Sequence, residues 1–250
     1  MYRNSSFFSN IPPVTKNLLI LNILIYLFMA ILPSADTILT KYLALYYFSS
    51  PGFKPFQLLT YMFLHANFTH LFFNMFALFM FGRTIEWSMG SARFLFYYLT
   101  CGVCAGLVQM GVFAMYIHPY HDILPPEAFR EVVTQGWDLI QRGYTFGHPD
   151  MAVLNSFINT PMVGASGAIY GVLLAFGFLF PNQPIYLFFI PVPIKSKWII
   201  IGYFILELVY GIGGSADGVA HFAHLGGMIF GFLLLLYWKR KGVFNNRWFF

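Results

Sequence analysis

The sequence predicts an all-α membrane protein, a single bundle of six transmembrane helices with both termini cytoplasmic. Three observations predict it. Of 250 residues, 58% are hydrophobic and 9% charged, whereas soluble domains carry about 25% charged residues, so the chain has too few charges to cover a water-facing surface. Six segments approach the roughly 20 mostly apolar residues that cross a bilayer as a helix: 17–32, 58–81, 93–117, 161–180, 197–212 and 219–238. Six crossings return the chain to its starting side, and the basic residues select that side. With the termini inside, Arg3, Lys16, Arg83, Arg93, Lys195, Lys197, Lys239, Arg240, Lys241 and Arg247 are cytoplasmic, and only Lys41, Lys54, Arg130 and Arg142 are outside.

The first apolar run, Leu18 to Leu32, follows Arg3 and Lys16 as the core of a signal peptide does. Further spans follow and no clear small-x-small cleavage site ends it, so it reads as the first retained helix. Residues 33–57 form an outside loop whose Tyr42, Tyr46, Tyr47, Phe48, Phe53 and Phe56 suit the headgroup belt. In the third span, Cys101 and Cys104 read as small buried hydrophobes, in preference to a redox CxxC pair. The stretch 118–160 is an extracytoplasmic insertion. Pro125–Pro126 opens a helix there, and Phe129, Val132, Val133, Trp137 and Ile140 repeat at near-helical spacing over Glu127–Gln141. Glu207 in the fifth span is expected as a protonated or hydrogen-bonded packing residue, and Asp217 as a loop or cap residue.

Polar groups inside spans are costly and mark function. His65, His70 and Asn74 lie in the second span, Ser166 and Tyr170 in the fourth, and His221 and His224 in the sixth. Residues four apart share a helix face, which stacks Ser166 and Tyr170 and gives Gly167 and Gly171 an adjacent small stripe. His224, Gly227 and Gly231 share one face of the sixth span. Small stripes let membrane helices approach closely, so packing these two faces brings Ser166 within reach of His224. A serine hydroxyl needs a base to become a nucleophile, and imidazole serves near neutral pH. With no acid plainly placed to orient the imidazole, a dyad is expected, with Tyr170 stacked under the ring. His221 lacks glycines at the matching offsets and is expected to be structural or cavity-lining, and His65 a rim residue. His70 and Asn74, one turn apart, offer two donors for an oxyanion, and the Ser166 backbone N–H a third.

These residues resemble the rhomboid family of intramembrane serine proteases. Its GxSG motif matches Gly164-Ala165-Ser166-Gly167, its AHxxGxxxG motif matches Ala223 to Gly231, and its HxxxN motif matches His70 to Asn74. The resemblance covers roughly 15–240. It implies a six-helix fold with Ser166 as nucleophile, His224 as base, His70 and Asn74 as oxyanion donors, Tyr170 against the His ring, and membrane-protein substrates with a transmembrane segment. Gly82, Glu86 and Gly90 resemble the family's turn after the second helix, where the Glu is structural. Two features depart from the pattern: Lys54-Pro55-Phe56 stands where many members have a Trp-Arg pair, and the 118–160 segment is longer than in compact bacterial members.

The lipid bilayer is the expected partner of the apolar exterior. The net charge of +5 is dispersed in short clusters that topology explains, so no nucleic-acid partner is expected. No cofactor or metal is expected either, because His65, His70, His221 and His224 are accompanied by no HExxH motif or carboxylate partner. The expected location is a multi-pass site in the plasma (inner) membrane if the source is bacterial. Rival readings are a proton-coupled transporter, disfavoured by few intramembrane acids and no inverted repeat, and a catalytically silent binder of transmembrane segments.

Overall fold

The computed structural model describes residues 10–187, 190–213 and 219–244. Arg3, Asp217 and Arg247 lie outside the described residues. In chain order the helices are α1 (Pro13–Ile31), α2 (Pro33–Leu43), α3 (Gln57–Thr60), α4 (Phe68–Ala77), α5 (Arg83–Met89), α6 (Ser91–Ile117), α7 (Tyr120–Ile123), α8 (Pro126–Gln141), α9 (Pro149–Asn159) and α10 (Ser166–Leu179). A hairpin of β1 (Pro184–Leu187) and β2 (Ile190–Lys195) precedes α11 (Ser196–Gly213) and α12 (His221–Arg240).

Among the described residues, four helical stretches are long and apolar enough to cross a membrane: Pro13–Ile31, Ser91–Ile123, Ser196–Gly213 and His221–Arg240. Their outer faces are apolar, with Leu24 and Phe28 on α1 and Trp198, Ile205 and Val209 on α11 exposed, as a lipid-facing surface requires. The other two predicted spans differ from expectation. The segment 58–81 is broken: a 3₁₀ turn at Tyr61–Phe63 ends the short α3, the chain extends through Leu64, and α4 starts afresh. The break comes from Asn67, whose side chain accepts from the His70 backbone N–H at 2.8 Å and caps α4. A π-helical turn at Leu78–Gly82 then joins α4 to α5. The segment 161–180 becomes helical only at Ser166, so α10 has 14 residues.

α10 is the central helix, burying ten of its 14 residues between α6, α12 and the α4–α5 segment. By contrast α11 buries only Ser196, Ile200, Glu207 and Gly211. The start of α1 is held by Glu86, which accepts from the Val14 and Thr15 backbone N–H groups, the Thr15 hydroxyl and the Ser91 hydroxyl at 2.7–2.9 Å. A buried carboxylate with four donors, at the positive end of a helix dipole, is fully compensated. Gly82 is buried at the end of the π turn, and Gly90, with φ +84°, separates α5 from α6.

The loop 33–57 contains α2, which the aromatic composition did not predict. The insertion holds α8, as expected, and also α9. Asn155 and Asn159 of α9 donate to the Gly136 and Val132 carbonyls, and Asn159 accepts from Ser50, tying the pair to the first loop. The hairpin at 184–195 is a small departure from an all-α fold.

Candidate active site

Three local features deliver Ser166 to the head of α10. Leu45 and Met162 form an antiparallel bridge at 3.0 and 2.8 Å, and the Gly164 backbone N–H donates to the Tyr61 carbonyl at 3.0 Å. Gly164 has φ +133°, a conformation side chains rarely adopt, and a Cβ there would lie 2.7 Å from the His70 ring. The extended chain therefore turns into the helix only because this position is glycine.

α12 meets α10 on the predicted faces. A Cβ on Gly227 would overlap the Gly167 carbonyl oxygen, and one on Gly171 would lie 3.2 Å from the Gly227 carbonyl. Gly231 differs from the expectation of two mated glycine faces: it makes room for Tyr97 of α6, whose hydroxyl donates to the Gly171 carbonyl at 2.8 Å. The third helix thus locks the other two.

This approach sets His224 Nε2 2.8 Å from Ser166 Oγ. The imidazole is buried, Ser166 is half-buried, and the Tyr170 ring stacks on His224 with centroids 4.1 Å apart and planes 6° from parallel. His70 is half-buried, adjoining Gly164. Asn74, one turn further along α4, is buried, and its Nδ2 has no hydrogen-bond partner among the described residues. An unpaired buried donor is expensive, so Asn74 Nδ2 is available to an added acceptor. His65, expected at a rim, is instead buried against His70 with ring centroids 5.1 Å apart.

Glu207 is the residue that helical phase did not place. Its carboxylate, 6% exposed, accepts the Tyr170 hydroxyl on Oε1 and pairs with His221 Nδ1 at 2.6 Å on Oε2. His224 Nδ1 lies 3.0 Å from the same Oε2, without the alignment of a full hydrogen bond. Glu207 is hydrogen-bonded, as expected of it, but it also stands beside the imidazole, where no acid was expected to be placed to orient the ring, and no carboxylate partner was expected for the His residues. Glu207 lies on α11, and no spacing rule relates it to α12. Glu207, His221 and His224 can each offer one ligand atom within 4.8 Å of the others, a set of the right chemistry for a divalent metal. Hydrogen bonding already accounts for the shortest of these contacts. His221 also lines a cavity of about 710 Å³ with Gln109, Phe113, Tyr210 and Phe222, and neither Ser166 nor His224 is part of that lining.

The family model described as the Rhomboid domain matches residues 53–241. Among curated relatives, Rhomboid protein 1, mitochondrial, of Saccharomyces cerevisiae is 29% identical over 68% of this chain and 38% of its own length. RHOMBOID-like protein 12, mitochondrial, of Arabidopsis thaliana is 33% identical over 68% and 42%. Rhomboid protease AarA of Providencia stuartii is 29% identical over 69% and 52%. The chain thus spans about half the length, or less, of these relatives. With a domain match over most of its length and apolar spanning helices, this multi-pass integral membrane protein belongs to the rhomboid family.

Proposed function

We propose that the protein is a serine endopeptidase that cleaves membrane proteins within or beside their transmembrane segments, with Ser166 as nucleophile and His224 as base. The observation that carries the reading is the 2.8 Å contact between Ser166 Oγ and His224 Nε2, at the hydrogen-bond distance such a pair needs. Ser166 Oγ attacks the scissile carbonyl carbon as its proton passes to Nε2. The tetrahedral oxyanion is met by the Ser166 N–H, His70 and Asn74. Nε2 then protonates the leaving amine, the C–N bond breaks, and water hydrolyses the acyl-serine by the same route in reverse.

Six crossings with cytoplasmic termini fit the basic-residue bias and open the site toward the outer face, where water is at hand. Two of the relatives carry mitochondrial names and another is bacterial; a bacterial source implies the inner membrane. Substrates are membrane proteins presenting a transmembrane segment. Labelling by a serine-directed fluorophosphonate tests the reading. The parent is expected to label and to cleave a membrane-anchored substrate, and Ser166→Ala and His224→Ala each to lose both while still folding. Cleavage by Ser166→Ala at the parent's rate sinks the proposal.

A further inference from the structure

A base that receives a proton on Nε2 must carry its other proton on Nδ1. In His224 that Nδ1–H is buried, and the acceptor standing 3.0 Å from it is Glu207 Oε2. Resting on the protease reading above, we propose that Glu207 is the positioning residue of the site, holding the His224 imidazole with Nε2 toward Ser166 so that the three work as a Ser–His–Glu triad.

The surroundings of the carboxylate support this. Glu207 is a buried acid on a helix whose remaining buried positions are Ser196, Ile200 and Gly211, and a buried acid in a span needs a compensating purpose. Tyr170 of α10 binds Oε1 and His221 of α12 binds Oε2, so the carboxylate is itself oriented, as the third member of a triad must be. Tyr170 at the same time fixes the plane of the His224 ring by stacking. A tie meant only to fasten α11 to the bundle needs the Tyr170 and His221 bonds alone. The short approach to Nδ1, which has no aligned partner, is what such a tie leaves unexplained. When the imidazole takes the serine proton, its positive charge develops beside this oxygen.

The test is fluorophosphonate labelling of the purified full chain in detergent, separating the rate at saturation (kinact) from the half-saturating concentration (KI), with thermal unfolding measured in parallel. Glu207→Gln is expected to lower kinact on the order of 10⁴-fold, the loss that follows neutralising or removing a triad carboxylate, with KI and the unfolding temperature unchanged. A folded Glu207→Gln that labels with the parent's kinact overturns the inference. Should Glu207→Gln not fold, Glu207→Asp decides, because it keeps the charge but withdraws it by one methylene. A reduced kinact at unchanged KI supports the positioning role, and the parent's kinact overturns it. A parent that does not label sinks the protease reading, whereas labelling lost in Ser166→Ala but complete in Glu207→Gln sinks this inference alone.

Discussion

Gly227 passes so close to Gly167 that its α-carbon leaves no room for a methyl group beside the Gly167 carbonyl oxygen. Every geometric relation between Ser166 and His224 depends on that approach. Gly227→Val is therefore expected to push α12 away from α10, costing about 1–3 kcal/mol of overpacking and breaking the 2.8 Å contact. Thermal unfolding and fluorophosphonate labelling check it. Labelling at the parent's rate with an unchanged unfolding temperature would show that the two helices meet elsewhere.

The part of the site that sequence could reveal is the part governed by phase within one helix. Ser166 with Tyr170, and His224 with Gly227, are related by spacings of three or four, and the glycine stripes stated which faces meet. Glu207 has no such relation to its partners, because its contacts cross from α11 to α10 and α12 and depend on how far three helices are rotated. The break in the second predicted span was written in one residue, Asn67, but an apolar run from Leu58 to Phe81 masked a capping signal three residues before His70. α9 was missed for a similar reason: its Asn155 and Asn159 look like loop residues until Gly136 and Val132 present carbonyls to them.

Tyr170 touches the site twice, by its ring against His224 and by its hydroxyl to Glu207. Tyr170→Phe keeps the stacking and loses the hydroxyl, whereas Tyr170→Ala loses both. An aromatic stack is worth about 0.5–1.5 kcal/mol, so Tyr170→Ala is expected to label about two- to twelvefold more slowly than Tyr170→Phe. Labelling rates of the two variants measured side by side decide it, and equal rates would mean that the ring does not orient the imidazole.

In the proposed mechanism His70 and Asn74 meet the oxyanion. Removing one such donor typically costs on the order of 10²-fold in kcat, and because the charge develops only in the transition state, KM is expected to stay level. Cleavage kinetics of His70→Ala and Asn74→Ala against a membrane-anchored substrate measure the split. A rise in KM at constant kcat would place these residues in substrate binding.

The cluster of Glu207, His221 and His224 could hold a divalent cation by its atoms and distances. A site that works by hydrogen bonds alone keeps its activity through exhaustive dialysis against a chelator. Fluorophosphonate labelling before and after chelation is expected to be the same. Loss of labelling that returns with added zinc would turn Glu207 from a positioning residue into a ligand.

Glu86 offers the contrast between support and chemistry. Its carboxylate takes two backbone and two hydroxyl donors at the start of α1 and at Ser91, on a different part of the bundle from Ser166. Glu86→Ala leaves four donors without their acceptor, two of them the buried N–H and hydroxyl of Thr15, at about 1–3 kcal/mol for each unsatisfied group that water cannot reach. The expected result is a clear fall in unfolding temperature, with labelling of Ser166 unchanged at temperatures where the variant remains folded. A thermal melt beside a labelling time course checks both halves, and a loss of labelling in the folded variant would mean that the α1 anchor reaches the site after all.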